Sequence, residues 1–449
     1  MARRLWASAA LVLASVAGLM PLSGGCASNG AADDGRLCTP GNYVFCRCAD
    51  RSEGTKLCKP DGKTFESCQP CTTGEETGTD AGELPTDAGF QPVDSGPPPD
   101  AGIAPIEAAC VGKLAVLAGA GGEQDLDALA GVYKGNGVFE VSVSHGPALR
   151  SNAKIVLTGT SLIGVYLSRY SFIVGAKFTT SWSAPVSIGS AMTDAPPSVT
   201  SLGTQAKMVY RGLDGLFYAG TYNAGWDDAT SPAEPAGDAG SVRRSAPSLA
   251  AVGSSLVFGF VTDDQGLNRV SSSGSTWGAP LKVPAATAYF DAPALVAMNG
   301  GSADLIMLYT GTDFALHSVT RAASNKAWSS PVVVDDSAQP IEPPAVVEMA
   351  NGRAMVVWKA SNDQAFYSIY DPGAAMPWSA PAGIVPNKNP TVTSTPAIAE
   401  SKCGAEIVLA YSEQGGGVSL MRYASGAWKG PYPVGGMSNV TYVGVGELP

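Results

Sequence analysis

Between residues 246 and 283 the chain reads SLAAV, SLVFGFV, LNRVSS and TWGAPLKV, four short apolar-rich runs. They are separated by Gly253-Ser254, Asp264-Gln265-Gly266 and Ser273-Gly274-Ser275. Runs of this length, rich in β-branched and aromatic residues and bounded by Gly, Asp and Ser, predict antiparallel strands joined by tight turns. The pattern recurs along the chain. Trp182, Trp226, Trp277, Trp328, Trp378 and Trp428 are spaced 44, 51, 51, 50 and 50 residues apart. Five of them sit in one string: SWSAPVSI, TWGAPLKV, AWSSPVVV, PWSAPAGI and AWKGPYPV. A second marker runs APPSV, APSLAAV, APALVAM, PPAVVEM and TPAIAES. The third is an aromatic that closes an apolar strand: Tyr166, Tyr210, Phe260, Tyr309, Trp358 and Tyr411. All three markers keep one order and one period.

Four strands per period of about fifty residues predict an all-β fold in which residues 106–449 form a single β-propeller. An open solenoid is the alternative. Six full units run from about 151 to 437, and residues 106–150 and 438–449 add the strands of one more. Closing a ring with strands from both termini removes free sheet edges, so seven blades fit the count best. Six blades with an appendage is the runner-up. Cys110 and Cys403, 293 residues apart, fall in the first and last units, which a ring makes neighbours. A disulfide there would lock the seam; two free buried cysteines is the other reading.

The N-terminal quarter has a different composition. Arg3 and Arg4 precede an apolar stretch from Leu5 to Leu22, and Ser23, Gly24 and Gly25 precede Cys26. Residues 1–25 therefore read as an export signal. The pattern resembles a bacterial lipoprotein signal, which implies Cys26 as the lipidated residue, although Ser23 stands where that family has Leu. Residues 26–71 hold six more cysteines: Cys38, Cys46, Cys48, Cys58, Cys68 and Cys71. In an exported segment this small, an even cluster predicts disulfides in an undetermined pairing, with zinc as the rival. The string from Cys38 to Cys71 resembles a Cys-rich module of myxobacterial secreted and lipoprotein chains. Residues 72–105 carry seven acidic and no basic residues, three Asp-Ala-Gly repeats and Pro97-Pro98-Pro99. Such a segment predicts a disordered, extended stalk.

The net charge of −11 arises from 28 Lys and Arg against 39 Asp and Glu. It offers no basic face for nucleic acid. With only His145 and His317, mechanisms built on histidine clusters lack material. No phosphate-cradling or nucleophile-elbow motif is present, and the sequence calls for neither cofactor nor metal. The carboxylate pairs Asp263-Asp264 and Asp335-Asp336 read as solvated loop charges.

The W-x-x-P strings resemble two propeller families. Gly274-Ser275-Thr276-Trp277 matches the tail of the sialidase-like Asp-box, with Ser272 in place of its Asp. That family implies an arginine triad. Arg169, Arg211, Arg269, Arg321, Arg353 and Arg422 qualify by residue type alone, and none lies in the family's signature. The second resemblance is to propeller lectins of the fucose-binding type, which implies aromatic platforms with Arg and carboxylate groups. The matching pairs are Tyr210 with Tyr218, Phe260 with Arg269, Tyr309 with His317, Trp358 with Tyr367, and Tyr411 with Arg422. Asp214, Asp264, Asp313 and Asp363 fall in the turns between them. A repeated platform would give several similar weak sites and avidity; packing between blades is the competing role for the same rings. The sequence thus predicts an exported, lipid-anchored monomer at the outer membrane or cell surface, whose propeller binds glycan or protein without catalysis. A sialidase-like glycoside hydrolase and a structural envelope scaffold are the alternatives.

Overall fold

The computed structural model describes residues 43–47, 53–57, 59–61, 63–66, 106–120, 127–222, 225–226, 231–232, 245–273, 276–289, 291–299, 303–385 and 390–449. The chain divides into two units, Met1–Asp94 and Ser95–Pro449. In the first, Tyr43–Arg47 and Glu53–Leu57 form an antiparallel hairpin with Cys46 opposite Gly54. Beyond it, the Asp61 carboxylate accepts bonds from the Thr64 hydroxyl (2.6 Å) and from the N–H groups of Lys63 and Thr64 (2.8 and 3.0 Å). Those bonds hold its pKa down at about 2. The expectations for the signal segment, Cys26, Cys38, Cys48, Cys58, Cys68, Cys71 and the stalk lie outside the described residues. For Cys46 the backbone alone is described. No helix among the described residues is long and apolar enough to cross a membrane.

The second unit is a seven-bladed β-propeller. Blade 1 is assembled from both ends of the unit, in the order Val440–Glu447, Leu114–Ala120, Asp127–Gly135, Val138–Pro147. Blades 2 to 7 follow the chain. Their inner strands are Lys154–Thr158, Ser198–Leu202, Ser248–Val252, Ala294–Ala297, Ala345–Glu348 and Ala397–Glu400. These pack side by side, and Val440–Glu447 lies between the first and last of them, which closes the ring. The C-terminal strand therefore supplies the innermost strand of blade 1, pairing Val445 with Val116 and Val443 with Ala118.

The sequence markers have physical roles in this ring. Pro197, Pro247, Pro293, Pro344 and Pro396 stand immediately before inner strands. At a strand's first edge position the missing N–H costs no ladder bond. The recurring Trp residues are staples between blades. Trp226 of blade 3 joins the core shared with Ile163, Val165 and Ile188 of blade 2. A Cβ at Gly175 would collide with its indole nitrogen, so that strand position requires glycine. Trp378 of blade 6 packs with Ile306 and Leu308 of blade 5 and donates to the Ser318 hydroxyl across the interface (2.8 Å). Trp277, Trp328 and Trp428 join the cores between blades 3 and 4, 4 and 5, and 6 and 7. The hydrophobic core is thus divided into slabs, each shared by two neighbouring blades.

The seam between blades 7 and 1 is closed covalently. Cys110 and Cys403 form a disulfide with Cα atoms 5.3 Å apart. Beside it Arg422 is buried, at 1% exposure. Its guanidinium donates to the Cys403 carbonyl (2.8 Å) and the Ser401 hydroxyl (3.0 Å) and lies 3.4 Å from both Glu107 and Glu447. Arg422 is therefore a seam residue, and the expectation that it reads a ligand beside Tyr411 is corrected.

Candidate functional site

The strand-closing aromatics Tyr166, Tyr210, Phe260, Tyr309, Trp358 and Tyr411 all lie on the second strand of a blade. None is more than 5% exposed. What can stand beside each is fixed by register. In all six blades the residue directly opposite comes eight positions later: Val174, Tyr218, Asn268, His317, Phe366 and Ser419. A residue nine positions on points to the other face of the sheet.

Two of the five expected pairs therefore meet. Tyr210 and Tyr218 stack at 5.4 Å and 19°, and Tyr309 and His317 at 5.5 Å and 17°. The other three are separated. Arg269 lies opposite Gly259 and places its guanidinium over Trp328 of blade 5, 5.9 Å from the ring centroid. Tyr367 lies opposite Val357 and packs edge-on against Trp428 of blade 7, at 5.6 Å and 88°. Arg422 lies opposite Val408 at the seam. Phe260, Trp358 and Tyr411 serve the packing between blades.

The turn carboxylates are also occupied. Asp214, Asp264 and Asp313 each accept from the N–H two residues on, at 3.0, 3.1 and 3.2 Å, which closes an Asx turn. Asp214 also accepts from the Tyr218 hydroxyl (2.6 Å), and that bond pushes the phenol pKa up to about 12. Asp313 holds His317 Nε2 at 3.0 Å. Asp264 pairs with Lys282 (3.0 Å), and its bonds to Thr262 and Lys282 hold its carboxyl near 2. Asp363 takes a different role, pairing with buried Lys359 at 3.1 Å.

The large concave surface of the ring is its central channel, with a volume of 1810 Å³. The inner strands wall it. At one mouth the turns after second strands and the linkers between blades converge, bringing Arg150, Asp194, Arg211, Asp263, Asp291 and Glu342 to the lining. Asn152 ties this rim across the closure. Its amide donates to the Thr395 carbonyl (2.6 Å) and accepts from the Val443 N–H (3.0 Å), which joins blades 7, 2 and 1. Arg211 is paired with Asp194. Lys359 donates to the Thr393 carbonyl (2.9 Å) and lies 3.7 Å from Glu342, which also accepts from the Thr395 N–H (2.7 Å).

Asp291 is different. Burial, reinforced by the like charge of Glu342, raises its carboxyl pKa to about 6. Deeper in the channel, Lys154 is reached by water but ringed by protein, and the loss of bulk solvent lowers its ammonium pKa. The sequence reading missed both groups, because membership of the mouth depends on how the linkers cross the ring. The first residue of each inner strand marked Lys154 in principle, since blades 3 to 7 carry Ser or Ala there and blade 1 carries Val440.

No protein-family model matches this sequence, and no curated protein matches it. Solved structures do. The chain is similar to the BP39L lectin from Burkholderia pseudomallei, at 15% identity over 72% of this chain and 99% of that one, with a TM-score of 0.50. It is also similar to the fucose-specific lectin of Aleuria aurantia (15% identity, 65% and 96% coverage, TM-score 0.46). A third similar structure is the SapL1 lectin in complex with alpha methyl fucoside (11%, 64% and 98%, TM-score 0.49). At such identities the likeness is one of fold: a β-propeller.

Proposed function

We propose that the chain is exported, anchored through a lipid on Cys26 at the outer membrane or cell surface, and uses its propeller as a non-catalytic glycan-binding module. The Cys-rich segment and acidic stalk act as a spacer between the anchor and the ring. The observation that carries the reading is the pair of solvent-exposed rings of Tyr289 and Phe314, 5.2 Å apart at the junction of blades 4 and 5, two residues from the channel-lining carboxylate of Asp291. Rings that stack on sugar C–H faces, beside polar groups that read hydroxyls, are what a glycan site requires. That the Burkholderia lectin is built on the same fold is compatible with this reading.

The arginines weigh against the hydrolase alternative. Arg321 is bound to Asp304 (2.8 Å), Arg353 to Glu406 (2.9 Å), Arg422 lies at the seam, and Arg269 sits between blades. Of the six candidates by type, Arg211 alone lines the channel. A glycan array probed with the purified full-length protein, beside a fluorogenic glycoside panel, tests the proposal. Saturable glycan binding without turnover is expected. Turnover would replace this reading with the hydrolase, and the absence of binding to any glycan would remove it.

A further inference from the structure

The turn between second and third strands places one residue in the left-handed region at the same position in six blades. These residues are Ser171 (φ 64°), Gly215 (82°), Gln265 (60°), Phe314 (63°), Asp363 (60°) and Gly416 (85°). Glycine occupies such a position without steric cost, whereas a bulky residue there is an outlier. Phe314 is the only aromatic of the six, and its side chain remains 49% exposed. Packing in the core therefore does not account for it. An exposed bulky residue held in a disfavoured conformation motivates a search for function at that point.

The neighbouring linker brings a second ring to the same place. Tyr289 is 40% exposed, and its ring centroid lies 5.2 Å from that of Phe314, at 48°. The backbone fixes this approach: the Ala288 N–H donates to the Gln265 carbonyl (2.9 Å) and the Tyr289 N–H to the Thr310 carbonyl (2.8 Å). At the corresponding linker position other blades carry Arg150, Ile341 and Thr393, whose N–H groups make the same bond to the next blade. Two residues beyond Tyr289, Asp291 enters the channel lining. Among the described residues no other blade junction sets two exposed rings in contact within two residues of a channel-lining carboxylate.

We infer that Tyr289, Phe314 and Asp291 form one neutral-pyranoside subsite at the rim between blades 4 and 5, so that the chain carries a single such site in place of a ring of equal ones. The two rings stack on the C–H face of the sugar, and the Asp291 carboxylate accepts hydrogen bonds from its hydroxyls. This rests on the glycan-binding reading and gives it a location and a stoichiometry.

The test is binding of a panel of neutral methyl pyranosides to the full-length protein, followed by calorimetry and saturation-transfer NMR. One site per chain is expected for the wild type. Phe314→Gly restores the residue type found in blades 3 and 7, so its melting temperature should not fall, while affinity drops tenfold or more. Tyr289→Ala should weaken binding similarly, which keeps the test decisive if either variant misfolds. Several equivalent sites per chain, or affinity unchanged in both variants, would overturn the inference and leave the glycan reading standing. Absence of binding to every pyranoside and to the glycan array would overturn both.

Discussion

The seam and the channel mouth use the same side chains to opposite ends. At the seam Arg422 and Glu447 are buried and each has several partners, with Arg422 Nε and Glu447 Oε1 left without a hydrogen bond. Besides the guanidinium, Glu447 faces the Ser401 hydroxyl at 2.7 Å and the N–H groups of Lys402 and Cys403 at 2.9 and 3.2 Å. At the mouth Asp291 is half-buried beside another carboxylate and is pushed toward its neutral form. A buried, paired ionic group fixes one arrangement of the chain. A half-solvated group whose field is unbalanced leaves something for a ligand to complete. The contrast shows why residue type alone is a poor guide to a site: Arg422, a candidate by type, belongs to the architecture, whereas the interaction surface proposed above lies at the half-solvated mouth.

The seam should give the largest effects. Arg422→Ala leaves Glu447 buried without its cation, and loss of about 3–5 kcal/mol of stability is expected in denaturant unfolding. The pair Cys110→Ser and Cys403→Ser removes a cross-link spanning 293 residues. In the chain-entropy model this costs about 6 kcal/mol, with the loss read from unfolding under oxidising conditions. If both variants unfold like the wild type, the ring is held by its slab cores and the seam has no special standing.

Much of this architecture was legible in the sequence. Tryptophans at one period, prolines before inner strands and a C-terminal strand left over at the end follow from the repeat, because each blade must bury the same faces. The disulfide followed from closure of the ring. Pairings across the sheet were harder to read. Tyr210 with Tyr218 and Tyr309 with His317 are eight residues apart, whereas Phe260 with Arg269 and Trp358 with Tyr367 are nine apart. With a side-chain period of two, that single residue sends Arg269 and Tyr367 to the opposite face. Tyr289 and Asp291 lie in a linker outside the three markers, so periodicity gave them no weight. A signal for Phe314 did exist, since it occupies the column held by Gly215 and Gly416.

At the mouth the effects should be smaller and of opposite sign. Asp291 has its folded pKa raised from 3.8 to about 6, so the folded state takes up its proton more readily than the unfolded chain does. Its ionisation therefore opposes folding. The penalty is fully present above about pH 6, shrinks as pH falls through the window, and is gone below about 3.8. Asp291→Asn should stabilise the protein at pH 7 by on the order of 1–2 kcal/mol once solvent screening is allowed for. The gain should vanish at pH 3.5. A variant with no gain at pH 7, or one equally stabilised at both pH values, would show that burial and the charge of Glu342 do not penalise the ionised Asp291 carboxylate.

The smallest effect is expected at Tyr218→Phe, and it decides between one site and many. The substitution removes the hydroxyl that donates to Asp214 but keeps the ring stacked on Tyr210. Asp214 retains its bond from the Leu216 N–H, so the Asx turn survives. The lost bond is solvent-exposed, and its removal should cost no more than about 0.5–1 kcal/mol. In an alkaline titration followed by ultraviolet absorbance, the variant should show one phenol fewer ionising near 12 than the wild type, in which Tyr309 and Tyr411 also titrate near 12. If recognition is confined to the Tyr289–Phe314 rim, pyranoside affinity should be unchanged, since Tyr218 belongs to blade 3 and the proposed rim lies between blades 4 and 5. A clear loss of affinity would mean that the stacked pair of blade 3 also holds sugar. The stacked Tyr309–His317 pair would then be a second candidate, and the repeated-site arrangement would displace the single rim.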